Sequence, residues 1–377
     1  MPSLSVFGTA IAATSKGLVS ANLLWQLPMF NVVRRRLGLM QRLRNLLWFP
    51  TELSTIDEAG KRRVVAVTGC DFGAGRSLAL QLDESGCHVI AGCRSQTEAE
   101  KLHRELQNSK AVHLDICESE SVREFADTIK DACEGQANLW ALVNNAGSVP
   151  PTKSFDEFAP EDLLETINVN CAGHIQVVSK CRHQLREGGR VLLLGCMSVH
   201  QPLPSFAPHT YVASKSALSA YATILRREMR KDEVYVSLVE PGFHRGTHFV
   251  DEFFTEKQGE KEVTESANHP SEVKRIDVER LSRDAVAQFA EKSLDHLVNY
   301  LEHIVLVPEP RATYRIGKDA KMAAVMSLLP TGMGDTVFII LAKVQRGIDF
   351  VALCSSRMRY WNRRARQLLL RQSPGPE

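Results

Sequence analysis

The chain has no Cys-x-x-C pair, no histidines at metal-ligand spacing and no internal repeat. Its nine cysteines are odd in number and scattered, and Cys70, Cys93, Cys117 and Cys196 fall at or near the ends of predicted strands. This excludes a disulfide framework and a zinc site, and points to free, mostly buried thiols in a reducing compartment. None of the twelve histidines is assigned a metal. No apolar run approaches the ~20 residues of a membrane-crossing helix. Residues 17–33 are uncharged but are broken by Asn22, Gln26, Pro28 and Asn31, and the apolar run 337–342 is shorter still. Acidic residues are absent from positions 1–51, which carry Lys16, Arg34, Arg35, Arg36, Arg42 and Arg44. A cleaved secretory signal is not expected, because no charged start precedes an apolar run.

What is present at the ends is basic and amphipathic. Leu37, Met40, Leu43 and Leu47 recur at helical spacing between arginines, and 346–371 is again strongly basic. A weak membrane anchor, an interfacial helix and an organelle-targeting segment each fit residues 1–60. Nothing resembles a nucleic-acid module, so the basic ends are expected to meet an anionic membrane surface and no nucleic acid. Endoplasmic reticulum membrane is the expected location, with the mitochondrion as alternative.

The length suits one large domain with extensions, here 1–60, 61–321 and 322–377. From Lys61 onward strand and helix patterns alternate. Strands are predicted at 63–68, 88–93, 111–115, 139–143, 190–195, 234–239 and 303–307. Helical patterns fall between them, notably at 75–85, 98–108, 119–133, 161–187 and 209–231. Such alternation implies an α/β fold: a Rossmann-like, doubly wound parallel sheet of about seven strands with helices on both faces. Ligands then bind at the carboxyl ends of the strands.

Two motifs lie there. The first strand runs into Gly69-Cys70-Asp71-Phe72-Gly73-Ala74-Gly75, and a helical pattern follows. Glycines allow a tight turn and let a pyrophosphate approach the backbone at a helix N-terminus. The spacing is G-x-x-x-G-x-G rather than G-x-G-x-x-G. Further on, Tyr211 and Lys215 stand one helical turn apart on one face. An ammonium beside a phenol favours the phenolate, which lets the phenol exchange protons with an alcohol or carbonyl.

With these pieces in this order, the chain resembles the short-chain dehydrogenases/reductases over about residues 61–321. The resemblance is carried by Thr68 to Gly75, Asn144-Asn145-Ala146-Gly147, Asn170 within Asn168-Val169-Asn170, Ser198, Tyr211 with Lys215, and Pro241-Gly242. Ser198 precedes Tyr211 by thirteen residues, as the family pattern requires. Thr68-Gly69-Cys70-Asp71, the run Arg311 to Arg315, and Gly317 to Lys321 resemble the branch of retinol dehydrogenases, NAD-type hydroxysteroid dehydrogenases and mitochondrial 3-hydroxybutyrate dehydrogenase. Phe72 and Ala74 depart from that branch's usual serine and phenylalanine.

The resemblance implies an enzyme with named roles. Tyr211 is the general acid/base, and Lys215 lowers its pKa and holds the nicotinamide ribose. Ser198 steadies the substrate oxygen, and Asn170 completes a proton relay. Gly69, Gly73 and Gly75 hold the pyrophosphate, Asp115 contacts the adenine, and Asn144, Ala146 and Gly147 pass beneath the cofactor. Pro241, Gly242 and Thr247 border the nicotinamide. Residues 251–280 correspond to the stretch that closes over substrate in the family, or else form a solvated surface segment. The helices after Asn170 and Tyr211 resemble the pair that forms homodimers.

At the end of the second strand an acid would favour NAD, but the chain has Cys93-Arg94, and an arginine can pair with a 2′-phosphate. NADP is therefore expected, with NAD, used by many branch relatives, as alternative. Val199, Leu203, Phe206, Phe243 and Phe249 suit a lipophilic alcohol or ketone of the steroid or retinoid class. His200, Gln201, His209, His244 and Arg245 keep a 3-hydroxybutyrate-type hydroxy acid open. A non-catalytic nucleotide-binding membrane protein is the alternative outside enzymes.

Overall fold

The computed structural model describes residues 54–57, 60–134, 138–150, 159–200, 208–245, 247 and 293–328. The expected membrane-associating ends, the stretch 251–280, and Leu203, Phe206, Gln201 and Phe249 lie outside the described residues.

Seven strands form one parallel sheet: β1 (Val64–Thr68), β2 (His88–Cys93), β3 (Lys110–His113), β4 (Leu139–Asn144), β5 (Leu185–Leu194), β6 (Tyr235–Pro241) and β7 (Thr313–Ile316). Their spatial order is β3-β2-β1-β4-β5-β6-β7, so the winding reverses between β1 and β4. All five residues of β1 are buried. Both faces of that strand are covered, so it has no reason to alternate polar and apolar residues.

The helices are α1 (Gly73–Glu84), α2 (Gln96–Glu105), α3 (Ser119–Cys133), α4 (Pro160–Ile167), α5 (His174–Cys181), α6 (His209–Glu228), α7 (Asp295–Leu306) and α8 (Lys318–Met326). α3 buries Val122, Phe125, Ala126 and Ile129, the spacing of a single helical face. That face joins Val177 and Val178 of α5, Leu218 and Leu225 of α6, and Ala66, Leu142 and Leu193 of the sheet in one core. On the other layer α1 packs against α7.

Two expected elements are corrected. Residues 303–307 are not the seventh strand, because 303–306 complete α7. Leu297, Val298, Leu301, Ile304 and Val305 recur at helical spacing and are buried, which outweighs the β-branched character of the run. The seventh strand is Thr313–Ile316, inside the segment read as a family mark. The helix expected over 161–187 is also broken. α4 gives way to a π-helical turn at Asn168–Gly173. α5 then ends at Cys181, and the chain pairs with β4 from Leu185 onward.

Candidate active site

At the carboxyl end of β1 the chain turns at Gly69, whose φ of 71° is left-handed. A Cβ on Gly69 would stand 2.6 Å from Ala146 Cα, so two backbone segments touch there. The Thr68 hydroxyl accepts hydrogen bonds from the backbone N–H groups of Asn145 and Ala146, both at 3.1 Å. Asn145 Nδ2 returns bonds to the carbonyls of Thr68 (3.0 Å) and Gly69 (2.9 Å). A side chain at Gly75 would collide with the Gly69 carbonyl and the Asn145 amide. Gly73 opens α1 with a φ of 61°, and the first turn of the helix carries no acid. A tight glycine turn feeding the positive end of a helix fits the pyrophosphate of a dinucleotide.

The end of β2 is organised by Asp71, whose carboxylate accepts from the N–H groups of Arg94 (3.0 Å) and Ser95 (2.8 Å). Arg94 is 78% exposed, and its Nε lies 3.4 Å from Asp115 Oδ2. Asp115 is also tied down through Cys117 N, at 2.8 Å. Arg94 and Asp115 therefore share the edge where an adenosine would lie. Asn144 ends β4 fully buried, and its amide atoms meet no partner among the described residues.

The π-helical turn carries Asn170, which is fully buried. Its Oδ1 accepts from Ser148 N at 2.8 Å, and its Nδ2 donates to Ser148 O at 2.8 Å and to Ser214 Oγ at 3.1 Å. One amide thus ties the segment after β4 to α6. π-helical turns re-aim side chains and recur at functional sites. A Cβ on Gly147 would sit 3.2 Å from Asn170 Oδ1 and 3.6 Å from Lys215 Nζ. Lys215 is buried in α6 and donates to Leu194 O, at the end of β5, at 2.8 Å. Its ammonium is 5.9 Å from the Tyr211 ring centroid.

Ser198 is buried in a 3-10 turn (Met197–Val199) just past β5, and Cys196 Sγ lies 3.3 Å from its hydroxyl. The same thiol neighbours the Tyr211 phenol. Asn170, Ser198, Tyr211 and Lys215 thus converge at the carboxyl ends of β4 and β5.

The electrostatics correct one expectation. The Tyr211 phenol is pushed well up, first by burial and then by Cys196, rather than down by Lys215. Lys215 directs its hydrogen bond at a carbonyl, and burial lowers its own pKa to about 8. A neutral phenol beside a partly destabilised ammonium is a proton donor at neutral pH.

Pro241 closes β6, and Gly242 N donates to Ile316 O at 2.8 Å. The Asp319 carboxylate lies so close to Gly242 that no side chain fits there, and it accepts from Phe243 N at 2.7 Å and Ala320 N at 2.8 Å. Thr247 Oγ1 donates to His244 O at 2.7 Å. Phe243 and His244 are buried, and His244 stacks on His296 of α7 at 6.0 Å.

Several contributors were not assigned roles from the sequence: Asp71, Asp319, Cys196 and Glu240. Asp71 and Asp319 stood within recognised segments, so a signal was present. Glu240 is 2% exposed and binds His200 Nε2 at 2.8 Å and Arg315 Nε at 3.1 Å. Residues so far apart in sequence carry no local sign of that pairing.

The short chain dehydrogenase family model matches residues 63–258. The chain belongs to the short-chain dehydrogenases/reductases, and it is an NAD(P)-dependent oxidoreductase of the branch that holds the retinol and hydroxysteroid dehydrogenases. It is 31% identical over 309 residues to short-chain dehydrogenase/reductase family 9C member 7 of Bos taurus, covering 77% of this chain and 92% of the relative. It is 31% identical over 284 residues to retinol dehydrogenase 16 of Homo sapiens, covering 73% and 87%. The same identity over 284 residues, with the same coverage, relates it to 17-beta-hydroxysteroid dehydrogenase type 6 of Bos taurus. Among solved structures, L-sorbose reductase from Gluconobacter frateurii, complexed with NADPH and L-sorbose, superposes with a TM-score of 0.57 at 17% identity, over 71% of this chain and 97% of that one. A short-chain dehydrogenase from Streptomyces avermitilis gives a TM-score of 0.55 at 24% identity, over 76% and 98%. These two bear on the fold alone.

Proposed function

We propose that the protein interconverts a secondary alcohol and a ketone on a lipophilic substrate of the steroid or retinoid class. The convergence of Asn170, Ser198, Tyr211 and Lys215 beside the glycine cradle carries this reading. The bound nicotinamide supplies the hydride chemistry. Ser198 donates a hydrogen bond to the substrate oxygen and steadies charge developing there. Tyr211 gives its phenolic proton to that oxygen in reduction and takes it back in oxidation. Lys215 holds the ribose side of the site with N–H groups not directed at Leu194. Asn170 fixes the segment beneath the nicotinamide and supports the relay that returns a proton to Tyr211. With its pKa raised by burial, the Tyr211 phenol is protonated at neutral pH, the form that gives a proton to a carbonyl oxygen.

Arg94 supports NADP, since its exposed guanidinium is the cation at the adenosine edge. Glu240 occupies His200 Nε2 and pairs with Arg315, which leaves less to hold a small hydroxy acid. Membrane docking through the basic ends flanking 61–321, at the endoplasmic reticulum, fits a lipophilic substrate and the named relatives. The exposed apolar side chains Ile175 of α5 and Ile224 of α6 support a homodimer through the helices after Asn170 and Tyr211.

The test is turnover of a panel of steroid ketones, retinal and acetoacetate by the purified protein with NADPH or NADH, followed by reduced-nicotinamide absorbance. Turnover of a steroid or retinal, lost in Tyr211→Phe, is expected. Cofactor binding without turnover of any lipid ketone would sink the proposal.

A further inference from the structure

The Cys196 thiol stands inside the catalytic cluster yet has no part in the mechanism above. It lies two residues past the end of β5 and opens the turn that carries Ser198. Its sulfur accepts from the Ser198 backbone N–H at 3.4 Å and lies 3.3 Å from Ser198 Oγ. Both distances are ordinary for sulfur. The sulfur accepts from the backbone N–H and also meets the Tyr211 phenol, while its S–H donates to the serine oxygen. A serine hydroxyl has one proton and two acceptor positions, and its rotor turns to suit its partners. A donor that fills one acceptor position removes rotor states in which the serine proton points at the thiol.

We infer that Cys196 is a positioning residue, whose S–H donates to Ser198 Oγ and so directs the Ser198 proton at the reacting substrate oxygen. The inference rests on the role of Ser198 proposed above. The thiol also meets the Tyr211 phenol; the inference predicts that its effect on turnover runs mainly through Ser198, once substrate is bound. Valine is about one methyl larger than the thiol and alanine is smaller, and neither has a donor, so a side chain that merely filled space would not lose the same activity in both.

The experiment is a double-mutant cycle on the full chain. Cys196→Val and Cys196→Ser are each made in wild type and in Ser198→Ala, with kcat, KM and the Kd for reduced cofactor measured throughout. Cys196→Val in wild type should lower kcat/KM about 3- to 10-fold, the worth of one neutral hydrogen bond. The loss should lie mainly in kcat, with cofactor affinity unchanged. Cys196→Ser should recover most of it, because a hydroxyl is also a donor. In Ser198→Ala, Cys196→Val should cost much less, leaving only what the thiol's contact with the Tyr211 phenol is worth. An equal loss in both backgrounds, or full activity of Cys196→Val in wild type, overturns the inference while leaving the proposed reaction standing. Full activity of Ser198→Ala overturns both. Should Cys196→Val fail to fold, as judged by its melting transition, Cys196→Ala carries the same comparison.

Discussion

Strand β5 buries a cation toward each end, and among the described residues neither is paired with a carboxylate. Toward the amino end, Arg190 donates to the carbonyls of Val305 (2.7 Å), Val307 (2.7 Å) and Gly188 (2.6 Å). Its guanidinium also lies 3.7 Å from the Trp140 ring centroid, and Arg63 lies 3.5 Å from the same centroid. At the carboxyl end, the Leu194 carbonyl holds Lys215 through one bond. Burial lowers both groups, Arg190 to about 9 and Lys215 to about 8. The first cation is over-determined: two carbonyls at the end of α7, the Gly188 carbonyl of β5 and an aromatic face share its charge. The second keeps donors in reserve for a ligand. Both cations carry a burial cost; three carbonyls and an aromatic face offset it at Arg190, whereas a single carbonyl does so at Lys215, inside the candidate site.

Lys215→Met breaks this comparison most severely. Activity should fall by at least about 100-fold, as for loss of a group serving the general acid. The unliganded protein should nevertheless melt higher near pH 7. The Lys215 pKa is lowered from 10.5 to about 8, so between those values the unfolded chain holds a proton that the folded chain has released. Stability therefore rises with pH through that window, and the penalty is fully present below it. Removing the amine removes the penalty. A lower melting temperature would contradict the cost assigned to this end.

Arg190→Met should do the reverse. Val307 and Gly188 O lose the guanidinium and Val305 O keeps only Trp140 Nε1 (2.8 Å), a loss that outweighs the burial cost of the cation, so stability should drop by about 2–4 kcal/mol. kcat per folded molecule should stay unchanged, which denaturant unfolding and active-site titration would check. Arg94→Ala should weaken NADPH binding about 10-fold and leave NADH unaffected, as read by tryptophan-to-nicotinamide energy transfer. Equal loss for both cofactors would remove Arg94 as the phosphate partner.

The smallest effect at neutral pH belongs to His174, fully buried in α5 and lowered from 6.5 to about 3, first by burial and then by Lys215. Below its ordinary value the unfolded chain takes up a proton that the folded chain refuses, so stability falls as pH falls through that window. His174→Leu should flatten the decline between about pH 6 and about pH 4. An unchanged acid limb would show that other groups set it.

Much of the fold was legible because both faces of the sheet are covered. Continuous apolar runs such as Val64 to Val67 then mark strands, and glycines at 69, 73 and 75 mark the turn. The misplaced seventh strand had a physical cause. His303 to Val307 satisfies both a strand and a helix, and the burial of Leu297, Val298, Leu301, Ile304 and Val305 on one helical face decides for the helix. The break after Cys181 was similarly hidden, since Leu185 becomes a strand residue by pairing with Leu139.

By itself, the sequence determined the family, the parallel α/β architecture and the residues of the candidate site. Spacing along a helix and glycine at turns are local properties, written in neighbouring residues. Tertiary structure alone decided the direction of the Tyr211 shift, the bond from Lys215 to Leu194, the Glu240 pairing with His200 and Arg315, and the place of Cys196 beside Ser198. Each depends on burial or on groups brought together from separate strands, and desolvation and through-space contact leave no trace in local spacing.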